Sequence, residues 1–318
     1  MNFLSLEYFI VVAEELSMTK AAKRLYVSQQ SLSKHIIKLE QNLNIKLFNR
    51  TPGLSLTYAG SRFLRSAIQI LNIKRQITME MDDINNHVRG ELRIGISHTR
   101  GRVILQKLLP HFAKSHPLID ISVKEGNSKE LEEYLLHGQI DLLIGFAPIY
   151  LDVAETIEIL KERLLLVVPN KMMVRKYGDK SAGMAATYKK GTDIEDFLDF
   201  PFLMITEGNR IRTIFNKYLN HKKLSANIIL EVESIETLLS LASEGMGITI
   251  YPEMFSKNLS PLLNQNETSP VHFFPLDDPF TIGSLVIAYH RERYLSEPMQ
   301  DFISDFKELK NQFSAEQI

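Results

Sequence analysis

Residues 21–60 read AAKRLYVSQQSLSKHIIKLEQNLNIKLFNRTPGLSLTYAG, and their pattern decides the fold of this end of the chain. Leu32, Ile36, Leu39 and Leu43 recur at steps of four, three and four, which makes one apolar stripe on a helix that Ser28 is placed to cap. The opposite face presents Gln30, Lys34, Lys38 and Gln41, with Gln29, Ser31 and Ser33 near the first turn. Upstream, Thr19 to Leu25 form a short helix that holds the small pair Ala21-Ala22 and is capped by Ser17, and Tyr26-Val27 make a tight turn. Phe3, Leu6, Phe9, Ile10 and Ala13 fall at helical spacing, so a first helix runs to about Leu16. A short helix, a turn and a longer helix with a polar N-terminal end make a helix-turn-helix, whose second helix fills a DNA major groove. Gln bonds adenine edges, Lys reaches guanine or phosphate, and Ser serves either. On this reading Ser28, Gln29, Gln30, Ser33 and Lys34 face the bases. Downstream, the apolar runs Ile45–Phe48 and Leu54–Leu56 flank Arg50-Thr51-Pro52-Gly53, which predicts a β-hairpin wing with a basic tip. Lys38, Arg50 and Thr51 are then expected on phosphates.

The charge distribution points the same way. Between Leu16 and Gln76 the chain carries eleven basic residues and one acid, Glu40, although the formal net charge of all 318 residues is −1. The segment thus has ten positive charges in excess, and the remainder carries −11. A basic head on an acidic body suits a polyanionic partner, because one end meets nucleic acid while the other stays soluble.

These forty residues resemble the winged helix-turn-helix of LysR-type transcriptional regulators. The resemblance rests on Ala21-Ala22, Leu25, Val27-Ser28-Gln29, Leu32-Ser33, Leu39-Glu40, Leu47-Phe48, Arg50, Leu56-Thr57 and Ala59-Gly60. Gln30 departs from it where Pro is frequent, and Lys34 where Arg is commoner. Lys lacks the planar fork that grips guanine bidentately, which leaves the operator sequence open. The resemblance implies a bacterial regulator that binds double-stranded DNA as a homodimer or homotetramer, responds to a small-molecule effector and meets RNA polymerase.

From Tyr58 to Val88 there is no Pro, and Gly60 is the only Gly. Phe63, Ala67, Ile70, Ile77, Met81, Ile84 and Val88 follow steps of three and four, with Lys74 in one slot, and Leu64, Ile68 and Leu71 lie alongside. Such a stripe on a helix of about 45 Å requires a partner helix, for which a second copy of the chain is the natural candidate. The resemblance implies the same role for a linker helix that pairs in the dimer.

From Gly90 onward strands and helices alternate. Glu91–Ile96, Ile119–Glu125 and Ile140–Gly145 read as strands around the helices Val103–Lys114 and Lys129–Leu136. A second unit of the same kind follows, with strands at Phe202–Ile205, Ile228–Val232 and Ile248–Tyr251 and helices at Ile211–Leu219 and Thr237–Glu244. Leu164–Val168 and Leu285–Tyr289 are expected to carry the chain between the two lobes, and a last helix spans roughly 297–313. Two open α/β lobes joined by crossing strands enclose a cleft, and ligands bind outside the carboxyl ends of such strands. The landmarks GELRIGIS, IDLLIGF and SIETLLSLASEGMGITIYPE resemble the LysR-type effector domain and, more distantly, periplasmic solute-binding proteins. The resemblance carries effector contacts to Ser97, Thr99, Ser128 and Thr206. Strand ends add Arg100, Phe146 and the polar residues Asn127, Glu207, Asn209, Glu233 and Ser234. For each hydroxyl, helix capping is the competing reading, and for Arg100 a plain surface charge. His98 reads as a polar loop residue rather than a catalyst. A helix N-terminus beside Ser97, Thr99 and Arg100 suggests an anionic effector, a carboxylate. The stretch Asn170–Asp193 is basic, carries three Met and two Tyr, and reads either as a mobile loop or as a flap over the cleft.

The expected architecture is therefore α/β with a helical head. A winged helix-turn-helix occupies residues 1–58, a linker and dimerisation helix 59–89, and a two-lobed effector domain 90–318. Lobe 1 spans about 90–162 and 270–318, and lobe 2 about 163–269. No apolar run approaches the ~18 residues of a membrane span, and the N-terminus, with Glu7, Glu14 and Glu15 and no basic leader, does not read as a signal peptide, so a cytoplasmic location is expected. With no Cys there is no disulfide, thiolate metal site or Cys nucleophile. The nine His lack ligand spacing, and there is no P-loop, GxGxxG, HExxH or nucleophile elbow. Neither enzymatic activity, cofactor nor metal is expected. The alternatives are a cytoplasmic enzyme or a solute-binding module on the same two-lobed fold.

Overall fold

The computed structural model describes residues 2–85, 90–256 and 271–313. The chain divides into two compact units, one built on residues 1–90 with 136–139 and 293–296, the other on the remainder.

The first unit contains α1 (Phe3–Glu15), α2 (Met18–Arg24), α3 (Gln29–Leu43), the two-residue strands β1 (Phe48–Asn49) and β2 (Ser55–Leu56), and α4 (Tyr58–Ile84). Asn2, Ser17, Ser28 and Thr57 each cap the following helix with a side-chain oxygen. Leu16 and Asn44, both left-handed, end α1 and α3. Leu6, Phe9 and Val12 meet Ala21, Ala22, Leu32, Ile36 and Leu39 in one core that Leu47, Phe48 and Ala67 complete. The alanine pair allows α2 to approach this core closely.

The wing is shorter than expected. Only Phe48↔Leu56 and Asn49↔Ser55 pair, and Ile45 is exposed outside the strand. Its position is fixed by one buried acid. Glu40 accepts hydrogen bonds from the backbone amides of Leu47 (2.9 Å) and Phe48 (3.1 Å), and its carboxylate lies 3.3 Å from Lys46 and 3.6 Å from Arg50. Gly60 is required where α4 begins, because a Cβ there would collide with the Leu47 carbonyl.

The apolar stripe of α4 divides. Ala67 is buried, and Phe63 and Ile70 pack on the head's own core, with Phe63 edge-on to Phe9 at 4.8 Å. Ala67 thus serves the head, as do the faces of Phe63 and Ile70 that are turned to its core. Ile77, Met81 and Ile84 remain exposed, together with Ile73. Val88 lies outside the described residues.

The second unit opens with β3 (Gly90–Ile96), α5 (His98–Ser115), β4 (Ile119–Glu125), α6 (Ser128–Leu136) and β5 (Leu142–Phe146), with β3 and β5 parallel. The sixteen-residue β6 (Ala154–Pro169) follows. After α7 (Asn170–Tyr177) and α8 (Ser181–Tyr188) come β7 (Phe202–Ile205), α9 (Arg210–Lys222), β8 (Ile228–Val232), α10 (Ile235–Ser243), β9 (Thr249–Pro252) and α11 (Glu253–Ser256). The chain closes with β10 (Val271–Pro275), β11 (Ile282–His290) and α12 (Glu297–Leu309). The large sheet has the order β10-β6-β11-β5-β3-β4, with β9 also on β6, while β7 and β8 pair in parallel.

Strand β6 joins the lobes. Its first part, Ala154–Arg163, pairs with β11, and Leu164–Pro169 pairs with β9 and β10. It begins ten residues before the apolar run Leu164–Val168, because the polar alternation of TIEILKE suits a strand with one open face, whereas LLLVV is buried throughout.

The stretch 170–193 is neither a loop nor a flap. It forms α7, a 3₁₀ turn and α8, with Met172, Met173 and Tyr188 buried. The Tyr188 hydroxyl donates to Asp196 (2.9 Å) and contacts the Tyr177 hydroxyl at 2.6 Å, while its ring packs on Phe197 and Phe274. Burial holds the Tyr188 phenol far above its ordinary value. Met172, Met173 and Tyr188 thus belong to a packed core, with Phe274 of β10 joining it beside the second half of β6.

Two outcomes are expected. Glu40→Ala strips two buried amides of their acceptor, at a cost of roughly 2–4 kcal/mol. Urea unfolding and faster hydrogen exchange at Leu47 and Phe48 measure it. His272, stacked on Phe274 and bonded to Asn170, has its pKa lowered from 6.5 chiefly by burial. Its protonation is therefore weaker in the folded chain, so stability falls as pH drops through the ordinary histidine range. His272→Gln should show a smaller loss of melting temperature between pH 7 and pH 5.5.

Candidate nucleic-acid interface and ligand cleft

Helix α3 is amphipathic because its buried stripe, Leu32, Ile36 and Leu39, leaves Gln30, Lys34 and Lys38 one turn apart on the open side. Ser28, Gln29, Gln30, Lys34, Lys38, Arg50 and Thr51 are exposed, and Ser33 is half-buried. The Ser28 hydroxyl is occupied by the Ser31 amide at 3.1 Å, and the Gln29 side chain accepts from the Thr19 hydroxyl at 3.2 Å. Gln30, Lys34 and Lys38 have no side-chain hydrogen bond among the described residues. Arg50 keeps half of its side chain in solvent beside Glu40. One residue was not singled out from the sequence. Tyr26, in the α2–α3 turn with φ 54°, is 96% exposed. An aromatic side chain held in water at the mouth of a helix-turn-helix was legible only as a turn residue.

In the second unit a cleft of about 630 Å³ opens between the lobes. Ser97, Thr99, Arg100, Ser128, Phe146 and Thr206 all line it, brought together by the ends of β3, β4, β5 and β7. The helix caps here come from other residues. Asn127 caps α6 through a reciprocal pair of bonds with Glu130, and Asn209 caps α9. Ser97 occupies the cap position of α5 without a capping bond. The hydroxyls of Ser97, Thr99, Ser128 and Thr206 thus remain unengaged among the described residues. His98 stands at the rim, 73% exposed and 3.1 Å from Glu125.

Arg100 is neither a surface charge nor a free cation. Its side chain is 6% exposed, and Nη2 donates to buried Glu162 at 2.9 Å. The guanidinium also lies over Phe146 and Phe255. Burying a guanidinium requires a counter-charge, and β6 supplies it. Glu162 also accepts the Met254 amide at 3.0 Å, so the acid links α5 of lobe 1 to α11 of lobe 2. A second pair was missed from the sequence. Arg210, the first residue of α9, donates through Nη2 to Glu132 of α6 at 2.5 Å and stacks on Tyr150 at 4.4 Å. Its Nε is buried without a hydrogen-bond partner. The acid signal was present in ELEEYLL, where Glu132 shares the buried face of Leu131 and Leu135.

For metals, His111, Asp305 and Glu308 bring ligand atoms within 4.8 Å of one another away from the cleft. The 3.8 Å separation of His111 and Asp305 is that of a contact between the packed helices α5 and α12. No described helix is long and apolar enough to cross a membrane.

Comparison with known proteins matches residues 3–61 to the bacterial regulatory helix-turn-helix protein of the lysR family and residues 85–310 to the LysR substrate binding domain. A probable RuBisCO transcriptional regulator of Trieres chinensis is 28% identical over 307 residues, covering 94% of each chain. The HTH-type transcriptional regulator CzcR of Bacillus subtilis is 26% identical over 312 residues, 98% of this chain and 99% of that one. Among solved structures, full-length OxyR of Pseudomonas aeruginosa superposes with a TM-score of 0.73 at 21% identity, over 99% of this chain and 96% of that one. CbnR in complex with its target DNA gives 0.64 at 23% identity, over 99% and 100%. At these identities the structures establish the shared fold.

Proposed function

Because the chain belongs to the LysR family of transcriptional regulators, we propose that it reads double-stranded DNA through α3 and the β1–β2 wing, and that a small molecule in the cleft modulates this binding. The observation that carries the reading is the free polar face Gln30, Lys34 and Lys38, set beside a wing that Glu40 fixes in place. In this assignment Gln29, Gln30, Ser33 and Lys34 read bases, the Ser28 end of α3 receives a phosphate, and Lys38, Arg50 and Thr51 hold the backbone. Tyr26 joins the interface. Ser97, Thr99, Ser128 and Thr206 contact the effector, with Arg100 and Phe146 forming the cleft wall. The protein acts where the chromosome lies, as a regulator rather than an enzyme. Contact with RNA polymerase rests on family membership alone.

Self-association is part of the same reading. Ile73, Ile77, Met81 and Ile84, at steps of four, four and three, leave an apolar stripe that a second α4 covers in a homodimer, from which a tetramer is built.

Two experiments test these assignments. Duplexes selected from a random pool define the operator; Gln30→Ala and Lys34→Ala should each lose about 1–3 kcal/mol and relax base preference, while Lys38→Ala weakens all sequences alike. Wild-type affinity in both of the first two variants would refute the assignment. Sedimentation of the full chain should give at least a dimer, and Ile77→Asp with Met81→Asp should shift it toward monomer, because the seam would bury unpaired charge. Unchanged sedimentation of the double variant would place the interface elsewhere.

A further inference from the structure

The cleft contains two buried arginines, and each is already neutralised. Arg100 is paired with Glu162 and Arg210 with Glu132. With the two arginines included, the lining carries five acids and three bases, so acids exceed bases by two. Glu207 and Glu233, exposed at the ends of β7 and β8, have no partner among the described residues. An anionic ligand entering this space meets no uncompensated buried cation and faces spare carboxylates, against which the uncapped α5 N-terminus offers only partial charges.

The groups left over are of another kind. Four hydroxyls, on Ser97, Thr99, Ser128 and Thr206, can each donate and accept. The Arg210 guanidinium is committed to Glu132 and to the Tyr150 ring. The two free carboxylates accept from ligand hydroxyls. A cleft of about 630 Å³ is of the size that encloses a small molecule.

Resting on the reading of this cleft as the effector site, we propose that it takes an uncharged polyhydroxylated molecule of the sugar or polyol class, and that Glu132 sets this selectivity by cancelling the charge of Arg210. Glu132 lies on α6 of lobe 1 and Arg210 on α9 of lobe 2, so the pair bridges the two lobes. A carboxylate ligand would have to compete with Glu132 for the same guanidinium.

The test uses the full chain and a panel of neutral sugars and polyols, each matched with its carboxylate and amino counterpart, for example glucose with glucuronate and glucosamine. Binding is read by calorimetry and by the shift in melting temperature. Neutral members should bind, with their acid counterparts at least tenfold weaker. In Glu132→Gln the unpaired Arg210 should lower the melting temperature, the acid counterparts should restore it, and the acid-to-neutral preference should rise at least tenfold. Glu244→Gln, an exposed acid outside the cleft, should leave that preference unchanged. Equal or tighter binding of acid or amino members by the wild type would overturn the ligand class while leaving the cleft as the effector site. This comparison stands even where Glu132→Gln does not fold. A preference unmoved in a folded Glu132→Gln would overturn the role of Glu132. If no member of any set binds at millimolar concentration, the ligand class falls.

Discussion

The ligand-binding half of this protein depends on a buried carboxylate in the middle of its longest strand. Glu162, 2% exposed on β6, receives Arg100 from lobe 1 on one oxygen and the Met254 amide from lobe 2 on the other. Without the arginine the acid would be an uncompensated buried charge; without the acid the arginine would be one. The lobes are therefore joined at the cleft by an ion pair and a hydrogen bond as well as by the main chain. Strand β6 makes this possible because it pairs with β11 on one side of Glu162 and with β9 and β10 beyond it.

The same device recurs in the head. Glu40 is the one acid within a strongly basic segment, and it is buried with two backbone amides and two cations around it. It spends one negative charge on fixing the wing, and the exposed Lys34 and Lys38 of α3 stay available to a polyanion. Charge inside the structure builds geometry in both units, while charge outside it supplies affinity. A carboxylate that accepts backbone amides gives a position that a surface ion pair does not, since exposed pairs contribute little.

Much of this was legible in the sequence wherever one periodicity governs a segment. The α3 stripe of Leu32, Ile36 and Leu39 and the capping serines at positions 17 and 28 placed the helix-turn-helix to within a residue or two. The strand ends gathered Ser97, Thr99, Ser128, Phe146 and Thr206 because strand order in an α/β lobe brings carboxyl ends together. The errors came where long-range partners decide. Phe63, Ala67 and Ile70 look the same on a helical wheel as Ile77 and Met81, and only the position of α1 separates a head core from an open face. Arg100 read as a cation at a helix start, but its partner is 62 residues away on another strand. Arg210 and Glu132 are 78 residues apart, and no local pattern couples them. The 170–193 stretch was misread because its polar composition hides Met172, Met173 and Tyr188, which find their apolar surroundings only in lobe 2.

Regulation by this chain requires the basic head to meet the phosphate backbone of DNA. The most direct test is the affinity of the full chain for a selected duplex, measured by fluorescence anisotropy from 50 to 200 mM salt. Several phosphate contacts through Lys38, the wing and the α3 N-terminus predict a linear fall of log affinity against log salt with a slope of about −4 or steeper. Binding that is independent of salt, or no binding to any selected duplex at 50 mM, would contradict it.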